Sequence, residues 1–406
     1  MLRRLPIIAL AVVLVVAAFS SWLPFLFYLL YMGILVVGGS YVLTRLGLAD
    51  LEAGYAVGQV TGHVGEQFKV TYTLRNAGRM PKPWLEVHNP TSLPVAIPGR
   101  AIGLGSRAER SWIARVPLTR RGHFRIEPLQ VRTGDPFGLF EASAVVGRPI
   151  SLVVYPRIDA LPLWRLPSAN IEGSHAAPER TLQTSPLATS VRPYAPGDGF
   201  NRIHWKSTAR QGEIQVKEFD LEQTADVWLF LDLQARVQSG AGSNSSVELA
   251  VRAAASIAAK SLGENRAVGL TAYGQRLAVL PADRGGRQYL KVMQLLAAVE
   301  GDGRAPLVEG LLASLPRLRR GMTAVVITPS LDRAWVRPLA SLRGRGVASV
   351  VITVRADGDP GAAAAPGGAG AADARALGYA LAEYELKTYP ISPDRPLAAQ
   401  LARAGR

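Results

Sequence analysis

Asp198, His204 and Lys206 lie close together in YAPGDGFNRIHWKSTARQ, Tyr194–Gln211. A carboxylate, an imidazole and an ammonium can act as base, acid and electrostatic stabiliser in hydrolysis. Read that way, the chain is a hydrolase with its site around Asp198 and His204. The rest of the sequence supplies none of the usual companions: no nucleophile elbow, P-loop, H-E-x-x-H pair or dinucleotide fingerprint occurs anywhere. With no cysteine, thiolate nucleophiles, thiolate zinc sites and disulfides are excluded. The reading that fits more residues is non-enzymatic, with no catalytic residues and no cofactor.

In that reading the same stretch is structural. Pro196 presets φ, Gly197 permits positive φ, and Asp198 caps a short helix begun by FNRIHWKSTAR. Arg202, Lys206 and Arg210 recur every fourth residue as a cationic stripe, while Trp205 and Ala209 make an apolar stripe and Ile203 lies between. The spacing predicts a joint between two domains, its arginines facing domain carboxylates or an acidic partner.

The elements around this joint are legible from period and composition. Leu5–Thr44 contains no Asp, Glu, Lys or Arg, while Arg3 and Arg4 precede it and Arg45 follows. So long a stretch exceeds one span of about 20 residues and suits two of about 18, broken near Ser20, Ser21 and Pro24 with Trp22 as an interfacial anchor. Val16-Ala17-Ala18 would also suit signal cleavage, but the apolar stretch resumes at once and leaves an anchor. The expectation is a transmembrane hairpin over 1–47 with both ends on the arginine-rich side. That places a multi-pass protein in the inner (cytoplasmic) membrane with its soluble domains in the cytoplasm. The net charge of +15 then suits the anionic leaflet; no nucleic-acid module is visible.

Beyond the hairpin the period becomes two. FKVTYTLRN alternates Phe68, Val70, Tyr72 and Leu74 with polar residues, and WLEVHN, ERSWIARVPL, HFRIEPLQVRT and SLVVYP follow between turn signals. This predicts a β-sandwich over 55–157. Within it, LTRRGHFRI and GDPFGLF read as turns and core packing. Residues 158–225 read as a linker containing the joint. From 226 to 406 continuous apolar strands (DVWLFLDL, AVGLTAY, MTAVVIT, VASVVITV) alternate with helical stretches, which predicts an α/β domain with a mostly parallel sheet. The Gly/Ala/Pro-rich stretch 355–375 reads as a flexible inserted loop.

Together, the apolar hairpin, RRGHF…DPFGLF and YAPGDGFNRIHWKSTAR resemble the bacterial domain-of-unknown-function family fifty-eight. Tyr194, Gly197, Asp198, Arg202, Ile203, Trp205, Ala209 and Arg210 match its pattern Y-x-x-G-D-x-x-R-x-I-x-W-x-x-x-A-R. The resemblance implies a von Willebrand factor type A-like α/β domain and a MoxR-type AAA+ ATPase as partner, so that the protein is a membrane-bound adaptor or scaffold in complex assembly or maturation. It also implies a cation site, D-x-S-x-S after the first strand with a later Thr and Asp. Here that site is degenerate: Asp232 remains, but Gln234, Arg236, Ala305 and Pro329 replace the other ligands. No metal is expected, and Arg236 would pair with Asp232 in place of a cation.

Overall fold

A computed structural model describes residues 5–21, 23–166, 190–195, 200, 203–218, 226–275, 277–356 and 369–402. The chain divides into two compact units: residues 1–158 with 293–298, and the remainder.

The first unit opens with helices α1 (Leu5–Ser21) and α2 (Pro24–Gly47). Pro24 starts α2, where its missing N–H costs nothing. At 24 residues α2 is about 36 Å long, enough for a hydrocarbon core of about 30 Å. Among the described residues it is the one helix long and apolar enough to cross a membrane; α1 is shorter.

A β-rich region follows: β1 (Leu51–Val57), β2 (Thr61–His63), β3 (Gln67–Asn76), β4 (Lys82–His88), β5 (Arg100–Leu104), β6 (Glu109–Pro117), β7 (Gly122–Ile126), β8 (Leu129–Gly134), β9 (Glu141–Val146) and β10 (Ile150–Tyr155). They form three sheets, β1-β3-β6, β2-β10-β7 and β5-β4-β8-β9. The period of two in β3 turns Phe68, Val70, Tyr72 and Leu74 into a core shared with Leu85, Val131 and Leu152. Tyr72 pairs across the strands with Trp112, their rings stacked at 5.1 Å. Pairing starts at Leu51, which lies opposite Asn76, ahead of the boundary at 55 read from the sequence.

The second unit begins at Asp159. The start of the expected linker is not a spacer: Trp164 is buried edge-on against Tyr389, and Asp159 forms an ion pair with Arg252. Next come β11 (Ser190–Pro193), α3 (Trp205–Gln211) and β12 (Gln215–Glu218), with β11 and β12 antiparallel. The α/β part contains β13 (Val227–Asp232), α4 (Ser246–Gly263), β14 (Val268–Tyr273), β15 (Leu277–Asp283), α5 (Gly285–Ala298), α6 (Leu307–Ser314), β16 (Thr323–Thr328), α7 (Val336–Ser341), β17 (Ala348–Val354), α8 (Ala369–Glu383), β18 (Lys387–Ile391) and α9 (Leu397–Leu401). Its six-stranded sheet runs β15-β14-β13-β16-β17-β18. All neighbours are parallel except β14 and β15. Every residue of β13 and β16 is buried, as expected of central strands covered on both faces.

The inserted loop read at 355–375 is corrected at its far end. Residues from Ala369 form the first turns of α8, since an alanine-rich run without proline favours helix; 357–368 lie outside the described residues.

Candidate functional site

Strand order reverses between β13 and β16, leaving a crevice at their carboxyl ends, where open α/β sheets bind ligands. Asp232 ends β13 there and is only 1% exposed. Thr328, the last residue of β16, donates its hydroxyl to Asp232 Oδ2 at 2.6 Å, and the Gln234 amide donates to Oδ1 at 3.1 Å. Thr328 Oγ1 in turn accepts the Ser330 amide at 2.9 Å. Burial pushes the Asp232 carboxyl above the ordinary carboxylate range, and the Thr328 and Gln234 hydrogen bonds only partly oppose this.

Backbone fixes the rim. Gly303 donates its N–H to the Leu233 carbonyl and accepts from Ala235 N, each at 2.8 Å. A Cβ there would meet Leu233 O at 2.8 Å and Gly274 Cα and Tyr273 O at 2.9 Å, so only glycine fits. Gln238 donates to the Asp232 carbonyl at 3.0 Å and accepts from Ser246 at 2.6 Å.

The expected Arg236–Asp232 pair does not form. Arg236 is exposed on a 3-10 turn, Ala235–Val237, while the carboxylate is engaged by Thr328 and Gln234. The residues present also do not fit a hard cation, which takes six or more oxygen ligands: one carboxylate supplies the charge, and both its oxygens accept hydrogen bonds. Among the described residues no group of three or more His, Asp or Glu side chains is placed to hold a metal ion. Thr328 and Ser330 were missed in the sequence. Their signal was polar side chains closing an apolar strand at its carboxyl end.

The other candidate stretch folds as a small hairpin carrying a helix. Tyr194 N donates to the Ile214 carbonyl at 2.8 Å, and the Tyr194 ring stacks on Phe200 at 6.3 Å. Ile203 is buried and bridges to Val216. His204 caps α3: its Nδ1 accepts from Ser207 N at 3.2 Å. The helix starts at Trp205, two residues after the bridge at Ile203. Thr208 ties it to β12, accepting from Gln215 N at 3.0 Å, and Gly212 ends it at φ 75°. Trp205 is 69% exposed, and Lys206, Ala209 and Arg210 are exposed with it. Within the unit the predicted apolar stripe is thus an open face. Gly197, Asp198 and Arg202 lie outside the described residues.

The described residues thus hold a β-rich region and an α/β region, with the buried Asp232 at the switch point of the second. Residues 190–361 match the family described as "Protein of unknown function DUF58". It is 27% identical over 355 residues to the uncharacterized protein YeaD of Bacillus subtilis, covering 84% of each chain. It is 35% identical over 164 residues to the uncharacterized protein Rv1480 of Mycobacterium tuberculosis, covering 38% of this chain and 50% of the relative. Among solved structures, the CARDB domain of a Pyrococcus furiosus protein aligns at TM-score 0.20 and 14% identity, over 26% of this chain and 92% of that one. Proximal thread matrix protein 1 of the mussel byssus aligns at TM-score 0.26 and 13% identity, over 32% and 37%.

Proposed function

We propose that the protein is a membrane-anchored, non-enzymatic adaptor or scaffold. Its anchor is a two-span hairpin in the inner membrane with the soluble part in the cytoplasm. Its β-rich region is a sandwich that spaces or binds, and its α/β region is a von Willebrand factor A-like recognition domain. Its partner is a MoxR-type AAA+ ATPase acting in complex assembly or maturation.

The observation that carries this reading is the open face of α3. An exposed tryptophan beside Lys206 and Arg210, on a helix pinned by its own cap and by β12, is costly to leave in water and well suited to a protein partner. Tryptophan and arginine dominate binding energy at protein interfaces.

The test is binding of the full chain in lipid nanodiscs to the MoxR-type ATPase of the same organism, with and without nucleotide. Wild type is compared with a Trp205→Ala, Arg210→Glu variant of unchanged melting temperature. Binding by wild type and at least a tenfold loss in the variant, a difference of about 1.4 kcal/mol or more, is the expected result. No binding in either nucleotide state removes the adaptor reading.

A further inference from the structure

The last turns of α2 are packed into the β-rich unit. Ser40, Thr44 and Gly47, spaced along one side of α2, are buried, and a Cβ on Gly47 would meet Thr133 Cγ2 at 2.7 Å. Lys82 Nζ donates to the carbonyls of Leu46 and Ala49, closing the end of the helix. The level of the β-rich unit along α2 is therefore fixed.

At that level the unit presents aromatic side chains. Phe140 meets Tyr41 edge-on, ring centroids 5.6 Å apart. The turn leading to it is built firmly: Asp135 accepts from Phe137 N at 2.9 Å and Phe140 N at 2.6 Å, and Gly138 adopts φ 69°. The tip of this turn, Phe137, is 65% exposed. Beside it, Trp84 is 43% exposed and lies against Gly134, the residue before the turn. Tyr41 sits one turn, about 6 Å, inside Arg45, the first charge after the apolar stretch, and Arg45 reaches back over the Tyr41 ring at 5.9 Å. An aromatic with a cation folded over it at the end of an apolar helix is the arrangement of a membrane–water interface.

We infer that the Asp135–Phe140 turn, with Phe137 at its tip and Trp84 beside it, is a lipid-contacting surface that enters the headgroup–acyl boundary of the leaflet from which α2 emerges. This rests on α2 spanning the membrane. With α2 in a bilayer, the Tyr41–Phe140 contact sets the turn at the depth of Tyr41, where amphipathic and aromatic rings partition favourably. An exposed phenylalanine on a turn held by four hydrogen bonds, including Gly138 N to the Asp135 carbonyl at 3.1 Å and Asp135 N to the Phe140 carbonyl at 3.3 Å, then has an apolar environment. The occupant is the bilayer that holds the anchor, continuous with the helix surface.

The absence of native cysteine makes the test direct. Single cysteines are placed at Phe137 (F137C), at Leu35 in the middle of α2, and at Gln67, the end of β3 remote from α2. Each full-length variant is labelled with an environment-sensitive fluorophore and reconstituted in phosphatidylcholine–phosphatidylglycerol vesicles carrying shallow or deep spin-labelled lipid. The expected result is strong quenching at 137 by the shallow label, at 35 by the deep label, and none at 67. Quenching at 35 without quenching at 137 overturns the inference and leaves the anchor standing. Lack of quenching at 35 overturns both. Quenching of 137 and 67 alike also overturns it, because contact would then not be confined to the turn.

Discussion

Two buried carboxylates respond to the fold in opposite directions, and each gives a test at the scale of one residue. Burial raises Asp232, so the folded state binds its proton more tightly than the unfolded chain, where the value is about 3.9. Its favourable contribution is complete below that value and is lost as pH rises through the folded pKa. The difference in urea midpoint between wild type and Asp232→Asn should therefore shift in favour of the variant as pH rises from about 4, levelling off once the carboxyl is ionised. Burial would raise Asp135 too, but the amides of Phe140, Leu139 and Phe137 outweigh it and hold the carboxyl below its ordinary range. Its stabilisation is present above about 3.9 and is lost as pH falls through the folded pKa. Asp135→Asn should cost about 1–2 kcal/mol at pH 7, from weaker hydrogen bonds to the neutral group, and the cost should fade in acid melts.

At the scale of elements, the rim of the switch crevice and the α3 hairpin separate packing from exposure. Gly303→Ala puts a methyl among three backbone atoms less than 3 Å away, and should destabilise the α/β unit by about 1–3 kcal/mol in a denaturant titration. In the hairpin the neighbouring apolar residues should behave differently. Ile203→Ala removes a buried side chain bridged to Val216 and should cost about 2 kcal/mol. Trp205→Ala removes an exposed one and should stay within about 0.5 kcal/mol. Circular-dichroism melts of the two variants check this contrast. Both are apolar and two residues apart in the same quoted motif, and spacing alone assigned the tryptophan to packing. The bridge to Val216, further along the chain, is what buries Ile203.

At the scale of the molecule, the join between α2 and the β-rich unit bears on how the anchor transmits position. Lys82 is 3% exposed and satisfies two carbonyls just where the helix ends. Lys82→Met leaves those carbonyls buried without a donor and should cost about 1–3 kcal/mol. Hydrogen exchange should rise selectively over residues 44–50 while the core of β3 stays protected. Unchanged exchange there would mean the helix end is held by packing alone.

Period and composition determined the broad plan: an apolar N-terminal stretch, alternating strands from Phe68 onward, and buried strands with helices after Asp226. These follow from local rules, in which burial of one face or both is written in the spacing of apolar residues. The antiparallel edge strand β15 and the packing of Trp164 were not legible, since each depends on partners distant in sequence. The same holds for the candidate site. Asp232 was found because it closes an apolar strand, whereas the hydroxyl that holds it, from Thr328, is 96 residues away and was assigned no role. Arg236, four residues from Asp232, was given that role by proximity in sequence. Tertiary structure alone decided this choice, because parallel pairing of β13 with β16 brings their carboxyl ends together while the turn after β13 carries Arg236 to the surface.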